Sequence, residues 1–293
     1  MITRRSFIKS TAVISAVSVI DRSYFLNRPS LIGLQLYTVR DAMQKDPAGT
    51  LEKIAQIGYQ SVESVGYSSA VKFYKMDPLA FSKILKQNGL VMPSAHYKFG
   101  MERNEGEIVN GTILHDWQKA IDDAATVGLK YMVCGGLAMN ERGGIDRYKY
   151  IADELNSAGE KCKKSGIQLC YHNHDFEFEK QSGTTPYDIL LASDADLVKM
   201  EIDLYWVTKA NQDPITLMEQ NPGRFPLWHV KDMERSVEQR FTEVGNGIIN
   251  FKQIFRHAKK AGLQYFYVEQ DKTIGSPFDS ITQSISYIKK HIV

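Results

Sequence analysis

Cysteine is scarce in this chain of 293 residues. The three present, Cys134, Cys162 and Cys170, are odd in number and show no paired spacing, which excludes a disulfide framework. Even in an oxidising compartment the fold would not depend on disulfides. An excess of one charge is missing too. Lys and Arg number 36 against 34 Asp and Glu, a formal net charge of +2. No block of basic residues occurs beyond the extreme N-terminus, so a nucleic-acid surface held by phosphate contacts is not expected. Arginines do not cluster into a phosphate grip; Arg40 and Arg235 are isolated. No G-x-G-x-x-G follows the first apolar run, so the phosphate loop of a dinucleotide fold is lacking. The apolar stretch at residues 11–20 is too short for a membrane span, which needs about 20 residues. No linker or low-complexity segment divides the chain, which reads as one domain.

What is there is an ordinary globular composition, 43% hydrophobic and 24% charged, enough for a sizeable core. Tyr and Phe number 15 and 13, an aromatic content common in carbohydrate-handling proteins. The N-terminus carries Thr3, Arg4, Arg5, Ser6, Phe7, Ile8 and Lys9 ahead of the apolar stretch, the layout of a charged n-region and an h-region. T-R-R-x-F-I-K resembles the twin-arginine export signal, so residues 1–28 are read as a leader and 29–293 as the folded domain. The expected location is exported and periplasmic. No cysteine follows for lipid attachment and no clean small-x-small cleavage site is evident, so an uncleaved leader would stay as an anchor.

Beyond residue 30, short β-branched or aromatic runs alternate with amphipathic segments of helical period. The pattern predicts strands at 31–37, 61–66, 91–97, 131–135, 168–174, 197–203, 227–231 and 265–270. It predicts helices at 47–57, 78–88, 113–127, 144–165, 185–193, 213–220, 250–261 and 277–291. Gly58, Gly89, Gly128, Gly166 and Gly262 each close a helix just before a strand. That rhythm marks βα units and a parallel sheet. Eight of each element, in roughly 265 residues, predict a single-domain (β/α)8 TIM barrel rather than a doubly wound sheet. Gly245, Asn246 and Gly247 form only a tight turn before the seventh helix.

A TIM barrel keeps its chemistry at the C-terminal ends of its strands, and ionisable residues gather there. The second strand carries Glu63, the third ends near His96, and the fifth at His172, Asn173 and His174. The sixth ends at Asp203, the seventh at His229, Lys231 and Asp232, and the eighth at Glu269. Glu201 and Asp203 point to the same side of the sixth strand, because side chains alternate with period two. Carboxylates inside a barrel are costly to bury without a partner or a cation. Carboxylates gathered with imidazoles suit Mn²⁺, Fe²⁺, Co²⁺ or Zn²⁺ better than Ca²⁺, which prefers oxygen. Such a cation would polarise a sugar carbonyl or hydroxyl and stabilise an enediolate. The twin-arginine route carries folded proteins, which suits a protein loaded with metal before export.

The segments G-L-Q-L-Y-T-V-R-D at 33–41, Y-H-N-H-D-F-E-F at 171–178, D-L-Y-W at 203–206, H-V-K-D at 229–232 and V-E-Q at 268–270 occur in that order. In them the chain resembles the sugar phosphate isomerase/epimerase family, the xylose-isomerase-like TIM barrels, over roughly residues 31–293. The resemblance implies a divalent metal held by residues ending the fifth to eighth strands. Carried over by position these are His172, Asp203, His229 and Glu269. This chain departs from the pattern at the fifth strand, where ketose 3-epimerases of the family have a glutamate. That glutamate, with the one on the eighth strand, exchanges the substrate proton. His172 stands there instead, with His174 two residues on, and a histidine also serves as acid or base.

The catalytic residues expected are thus Glu269, His174, Glu177, reaching the substrate or acting as general base, and Lys231 facing a developing oxyanion or a substrate hydroxyl. Tyr37 and Trp206 are expected to stack on a sugar ring, Glu63 and His96 to line the pocket, and Arg235 to join the substrate-binding set. The implied function is a metal-dependent isomerase or epimerase of a small sugar or polyol, transferring a proton beside a carbonyl through an enediolate. The alternative is a lyase or hydratase acting on keto sugars or 3-keto glycosides. The histidine on the fifth strand and the export signal lean toward that alternative. The lack of an arginine cluster favours a phosphate-free substrate, and near-neutral charge speaks against a DNA-cleaving relative. The partners are a small-molecule sugar and, at most, copies of the chain in a homo-oligomer. No nucleic acid is expected, and no membrane span beyond a leader anchor.

Overall fold

The structure, a computed structural model, describes residues 31–100 and 108–293. The leader expected at 1–28 lies outside them. Eight parallel strands close into a barrel: β1 (Ile32–Gln35), β2 (Ser61–Ser64), β3 (Val91–Tyr97), β4 (Tyr131–Cys134), β5 (Gln168–His172), β6 (Val198–Asp203), β7 (Leu227–Val230) and β10 (Tyr265–Val268). Between β7 and β10, β8 (Asp232–Met233) and β9 (Phe241–Thr242) pair antiparallel as a hairpin outside the barrel. The barrel seals where β1 pairs with both β2 and β10.

Local signals explain the helices around it. Pro47, Pro78, Pro186, Pro214 and Pro277 each stand in a first helical turn, where the missing N–H costs nothing and the fixed φ suits the helix. The side chains of Asp46, Thr185, Asp213 and Asn250 cap orphan N–H groups at their helix starts. The apolar stripes of the helices pack on the outside of the barrel as one large cluster that includes Leu51, Phe81, Ile121, Leu155, Phe251 and Ile285. Cys134, Cys162 and Cys170 are free and buried. Among the described residues no helix is long and apolar enough to cross a membrane.

Six of the eight strands stop one or two residues sooner than expected, while β3 and β6 end where expected, and the turns that follow bear on the site. After Gln35 the chain turns into a short 3-10 helix because the Gln35 side-chain oxygen accepts from Tyr37 N at 3.1 Å. After Asp203 it turns into the helix Leu204–Lys209, which the Asp203 carboxylate caps. The helix expected at 113–127 begins only at Trp117. Residues 111–115 close on themselves instead, with Gly111 N and Thr112 N both donating to His115 O at 2.9 Å. The Gly245–Gly247 turn wraps around Asp232, whose carboxylate accepts from Met233 N, Gly245 N, Gly247 N and Ile249 N at 2.8–3.2 Å. Asp232 thus clamps the hairpin loop and stands apart from the centre.

Inside the barrel a small apolar plug of Val133, Cys170, Leu227 and Tyr267, flanked by Tyr131 and Tyr265, fills the lower part. Tyr267 fits because Gly33 faces it: a Cβ there would lie 2.4 Å from Tyr267 Cδ1 and 2.6 Å from Phe266 O. The Tyr267 hydroxyl then shares a 2.8 Å hydrogen bond with Ser94 Oγ, which also bonds Glu63. The plug is where the apolar interior ends and the polar floor begins. Gly33→Ala is expected to lower the unfolding free energy by about 1–3 kcal/mol through overpacking, read from the urea midpoint. An unchanged midpoint would show that the Tyr267 ring has room to move.

Candidate metal centre and active site

Above the plug, polar side chains converge from six barrel strands or their ends: Glu63 (β2), His96 (β3), His172 (β5), Glu201 and Asp203 (β6), His229 (β7) and Glu269, just past β10. Lys231 follows β7, and all eight side chains are buried. His96 has space because Gly135 has no side chain; a Cβ there would lie 2.6 Å from His96 Nδ1.

The groups form two levels. At the floor, Glu201 Oε2 lies 2.6 Å from His96 Nε2, 3.0 Å from His172 Nδ1 and 3.3 Å from His229 Nε2. Glu63 Oε2 lies 2.6 Å from His229 Nε2 and 3.1 Å from His96 Nε2, and it accepts from Gln35 Nε2 at 2.8 Å. At the mouth, His172 Nε2 lies 3.7 Å and His229 Nδ1 3.9 Å from Asp203 Oδ2, and His229 Nδ1 lies 2.7 Å from Glu269 Oε2. The Lys231 ammonium lies 2.9 Å from Asp203, 2.7 Å from Glu269 and 2.8 Å from Asp271. Two sets of donors lie within 4.8 Å of one another, His96, His172, Glu201 and His229 at the floor and Asp203, His229 and Glu269 at the mouth.

Asp203 divides its carboxylate between fold and site. Oδ1 accepts from Tyr205 N and Trp206 N at 3.0 Å, which starts the next helix and leaves Oδ2 facing the centre. Asn173 completes the support, its Oδ1 accepting from Asp203 N at 3.1 Å. Asp203 Oδ2 and Glu201 Oε1 are buried without a well-aligned hydrogen bond. Asp203 Oδ2, which faces the mouth 2.9 Å from the Lys231 ammonium, is the kind of atom that a cation would satisfy.

Electrostatics follow from this crowding. Burial opposes charge on His96, but Glu63 and Glu201 outweigh it and hold the imidazole up to about 9. Burial likewise opposes charge on His229, which Glu201 and Glu269 raise well above the usual range. His172 is pushed down to about 3 by burial and by the charge on His229. Burial lifts Asp203 to about 6 against the pull of Lys231. Glu269 moves the other way, because Lys231 and His229 overcome its burial.

The structure brings together His172, Asp203, His229, Glu269, Lys231, His96 and Glu63 from the expected set. Glu63 is enclosed below the imidazoles, so it supports the centre from beneath instead of lining an open pocket. His174 is only half-buried, its ring 5.1 Å from that of His172 and 5.5 Å from Trp206. Trp206 packs edge-on to Phe241 of the hairpin, with the Lys231 ammonium 5.9 Å from its ring. Tyr37 sits on the turn after β1 with the Arg40 guanidinium 4.3 Å over its ring, and Arg40 Nη1 donates to Tyr37 O and Asp271 O.

Two expected residues fall elsewhere. Glu177 is fully buried; it accepts from Tyr171 Oη at 2.7 Å and His174 N at 2.8 Å. Tyr171 is the β5 residue that faces outward, so Glu177 lies behind the strand, where it shapes the His174 loop and cannot serve as a base toward substrate. Arg235 is exposed on the hairpin between β8 and β9, away from the buried cluster. Asp271 was missed, although it stands two residues after Glu269, as Asp203 does after Glu201. Glu201, whose inward direction follows from strand alternation with Asp203, belongs to the site as well.

A family model described as xylose isomerase-like TIM barrel matches residues 51–291. Among curated proteins, the inosose dehydratase of Lacticaseibacillus casei is 22% identical over 162 residues, 49% of this chain and 54% of that protein. The chain spans about half the length of the curated relatives it matches. Among solved structures, a sugar phosphate isomerase/epimerase from Parabacteroides distasonis ATCC 8503 is 29% identical, covers 90% of this chain and 95% of its own, and superposes with a TM-score of 0.75. The IOLI protein, solved with a zinc atom, is 15% identical, covers 89% of this chain and 99% of its own, and has a TM-score of 0.67.

Glu177 generates a pH prediction. Burial raises its carboxyl from 4.5 to about 7, so the folded chain binds that proton more tightly than the unfolded one. Its contribution is therefore present below about 4.5 and lost as pH rises through about 7. Wild-type stability is expected to fall relative to Glu177→Gln across that window, measured by denaturation at a series of pH values. A difference that does not vary with pH would mean that Glu177 stays ionised.

Proposed function

The chain belongs to the xylose isomerase-like TIM-barrel family, and from that premise we propose that it is a divalent-metal-dependent isomerase or epimerase. On this reading it moves a proton beside the carbonyl of a small, phosphate-free sugar or polyol. The observation that carries the reading is that Asp203 Oδ2 at the barrel mouth has His172 Nε2 at 3.7 Å and His229 Nδ1 at 3.9 Å, with Glu269 Oε2 2.7 Å from the same His229 nitrogen. Two imidazoles and two carboxylates fit Mn²⁺, Fe²⁺, Co²⁺ or Zn²⁺. When bound, such a cation supplies Lewis-acid polarisation of a substrate oxygen.

The chain's own residues supply the rest. Lys231 is held by three carboxylates and keeps its ammonium at the mouth, where it donates to an oxygen that gains negative charge. The half-buried His174 and Glu269 are the groups placed to take and return a proton. Trp206, backed by Phe241, offers an apolar wall for a sugar ring. Lys231 is already neutralised by Asp203, Glu269 and Asp271, which disfavours an anionic phosphate and favours a neutral substrate. A second reading, a dehydratase or lyase, is supported by the curated relatives named inosose dehydratase. It uses the same proton abstraction, followed by loss of a leaving group.

Purified protein is expected to carry about one divalent ion per chain and to lose it in Asp203→Ala, measured by elemental analysis. Incubation with ketohexoses and with keto glycosides in D₂O then separates the reactions. Deuterium beside the carbonyl with no loss of water or aglycone supports the isomerase, and release of either supports the lyase. An active metal-free enzyme would overturn both.

The proposal extends to an exported, periplasmic location, supported by the motif at Thr3–Lys9 alone. Export is expected to stop when Arg4 and Arg5 are both changed to Lys, measured by fractionation of the host. Unchanged periplasmic yield would refute the location.

A further inference from the structure

His172 and His229 each turn one ring nitrogen to the mouth and the other to the floor. An imidazole that ligates through one nitrogen carries its proton on the other, and a buried N–H needs an acceptor. The floor nitrogen is Nδ1 in His172 and Nε2 in His229. The two residues therefore require opposite tautomers, a choice their sequence positions do not reveal. The floor holds the acceptors. Glu201 Oε2 stands 3.0 Å from His172 Nδ1, and Glu63 Oε2 stands 2.6 Å from His229 Nε2, with Glu201 at 3.3 Å. His96 Nε2 ties the two carboxylates together at 2.6 and 3.1 Å, and its ring stacks on His229 at an interplanar angle of 3°. Gln35 and Ser94 hold Glu63 in turn.

We propose that Glu201, backed by Glu63 and His96, is a positioning layer that fixes the tautomers of His172 and His229 and thereby makes the mouth the place where the cation is held. The inference rests on the metal-dependent reading above. The floor donors His96, His172, Glu201 and His229 also lie close enough to hold an ion themselves. For that, His172 and His229 would have to give their floor nitrogens to the ion, which removes the N–H donors that face Glu201 and Glu63. The positioning role uses both ring nitrogens of His172 and of His229, one toward the floor and one toward the mouth.

The test uses the full zinc-loaded chain. Glu201→Leu is expected to weaken zinc binding by about 10–100-fold in competition with a chromophoric chelator. Glu201→Gln keeps an acceptor oxygen and is expected to lose less than about tenfold. Long-range ¹H–¹⁵N correlation of histidine-labelled protein is expected to show the proton on Nδ1 of His172 and Nε2 of His229, a pattern retained in Glu201→Gln. If Glu201→Leu does not fold, opposite tautomers in the wild type and Glu201→Gln still decide the matter, and any other pattern overturns the inference. Wild-type zinc affinity and tautomers in a folded Glu201→Leu would also overturn it while leaving the metal centre intact. Two zinc ions per chain, falling to one in His96→Ala, would overturn it in favour of an ion at the floor. No zinc binding by the wild type would instead overturn the metal-dependent reading itself.

Discussion

Five carboxylates, Glu63, Glu201, Asp203, Glu269 and Asp271, crowd the upper interior of a closed barrel. Only Asp271 keeps appreciable contact with solvent, at 20% side-chain exposure. Uncompensated, that much negative charge would be too costly to enclose. Compensation comes from Lys231 and from imidazoles that Glu63, Glu201 and Glu269 hold charged. Much else in the upper barrel follows from this constraint. Three histidines face inward, a lysine is buried among acids, and the apolar plug stops at Tyr267. A divalent cation at the mouth would add to that compensation beside Asp203 and Glu269.

The walls of the site are held by the fold as much as by the chemistry. Asp203 caps a helix with one oxygen and faces the centre with the other, so the start of that helix and the direction of the carboxylate cannot vary independently. Arg40 ties the turn after β1 to the segment after β10. Arg142 lies 3.4 Å over the Phe176 ring and joins the loop after β4 to the loop after β5. Asp232 clamps the hairpin whose Phe241 supports Trp206. Glu177 belongs to the same scaffolding class, holding the His174 loop from behind β5.

Much of the floor and mouth was readable from one rule. Side chains two residues apart on a strand share a face, and the chain repeats that spacing in Glu201 and Asp203, His229 and Lys231, and His172 and His174. Glu269 and Asp271 repeat it just past β10. The rule found the direction of Glu201 and, followed one step further, would have found Asp271. It does not extend to Glu177, which follows β5 in a 3-10 turn where strand periodicity no longer applies. It also said nothing of Arg235, placed by the hairpin and not by a barrel strand.

The barrel, its eight strand positions, the helix-closing glycines and most of the polar cluster were determined by sequence alone, because periodicity and capping are local properties. The helix start at Trp117 and the early strand ends came from hydrogen bonds within loops, which depend on side-chain geometry. Which nitrogen of His172 and His229 faces the mouth, which carboxylates hold Lys231, and that Glu63 lies beneath the site were decided only by the closed barrel. Closure brings side chains of β2 and β3 within hydrogen-bond distance of side chains of β7 and β6 across the axis, and no spacing along the chain encodes a contact of that kind.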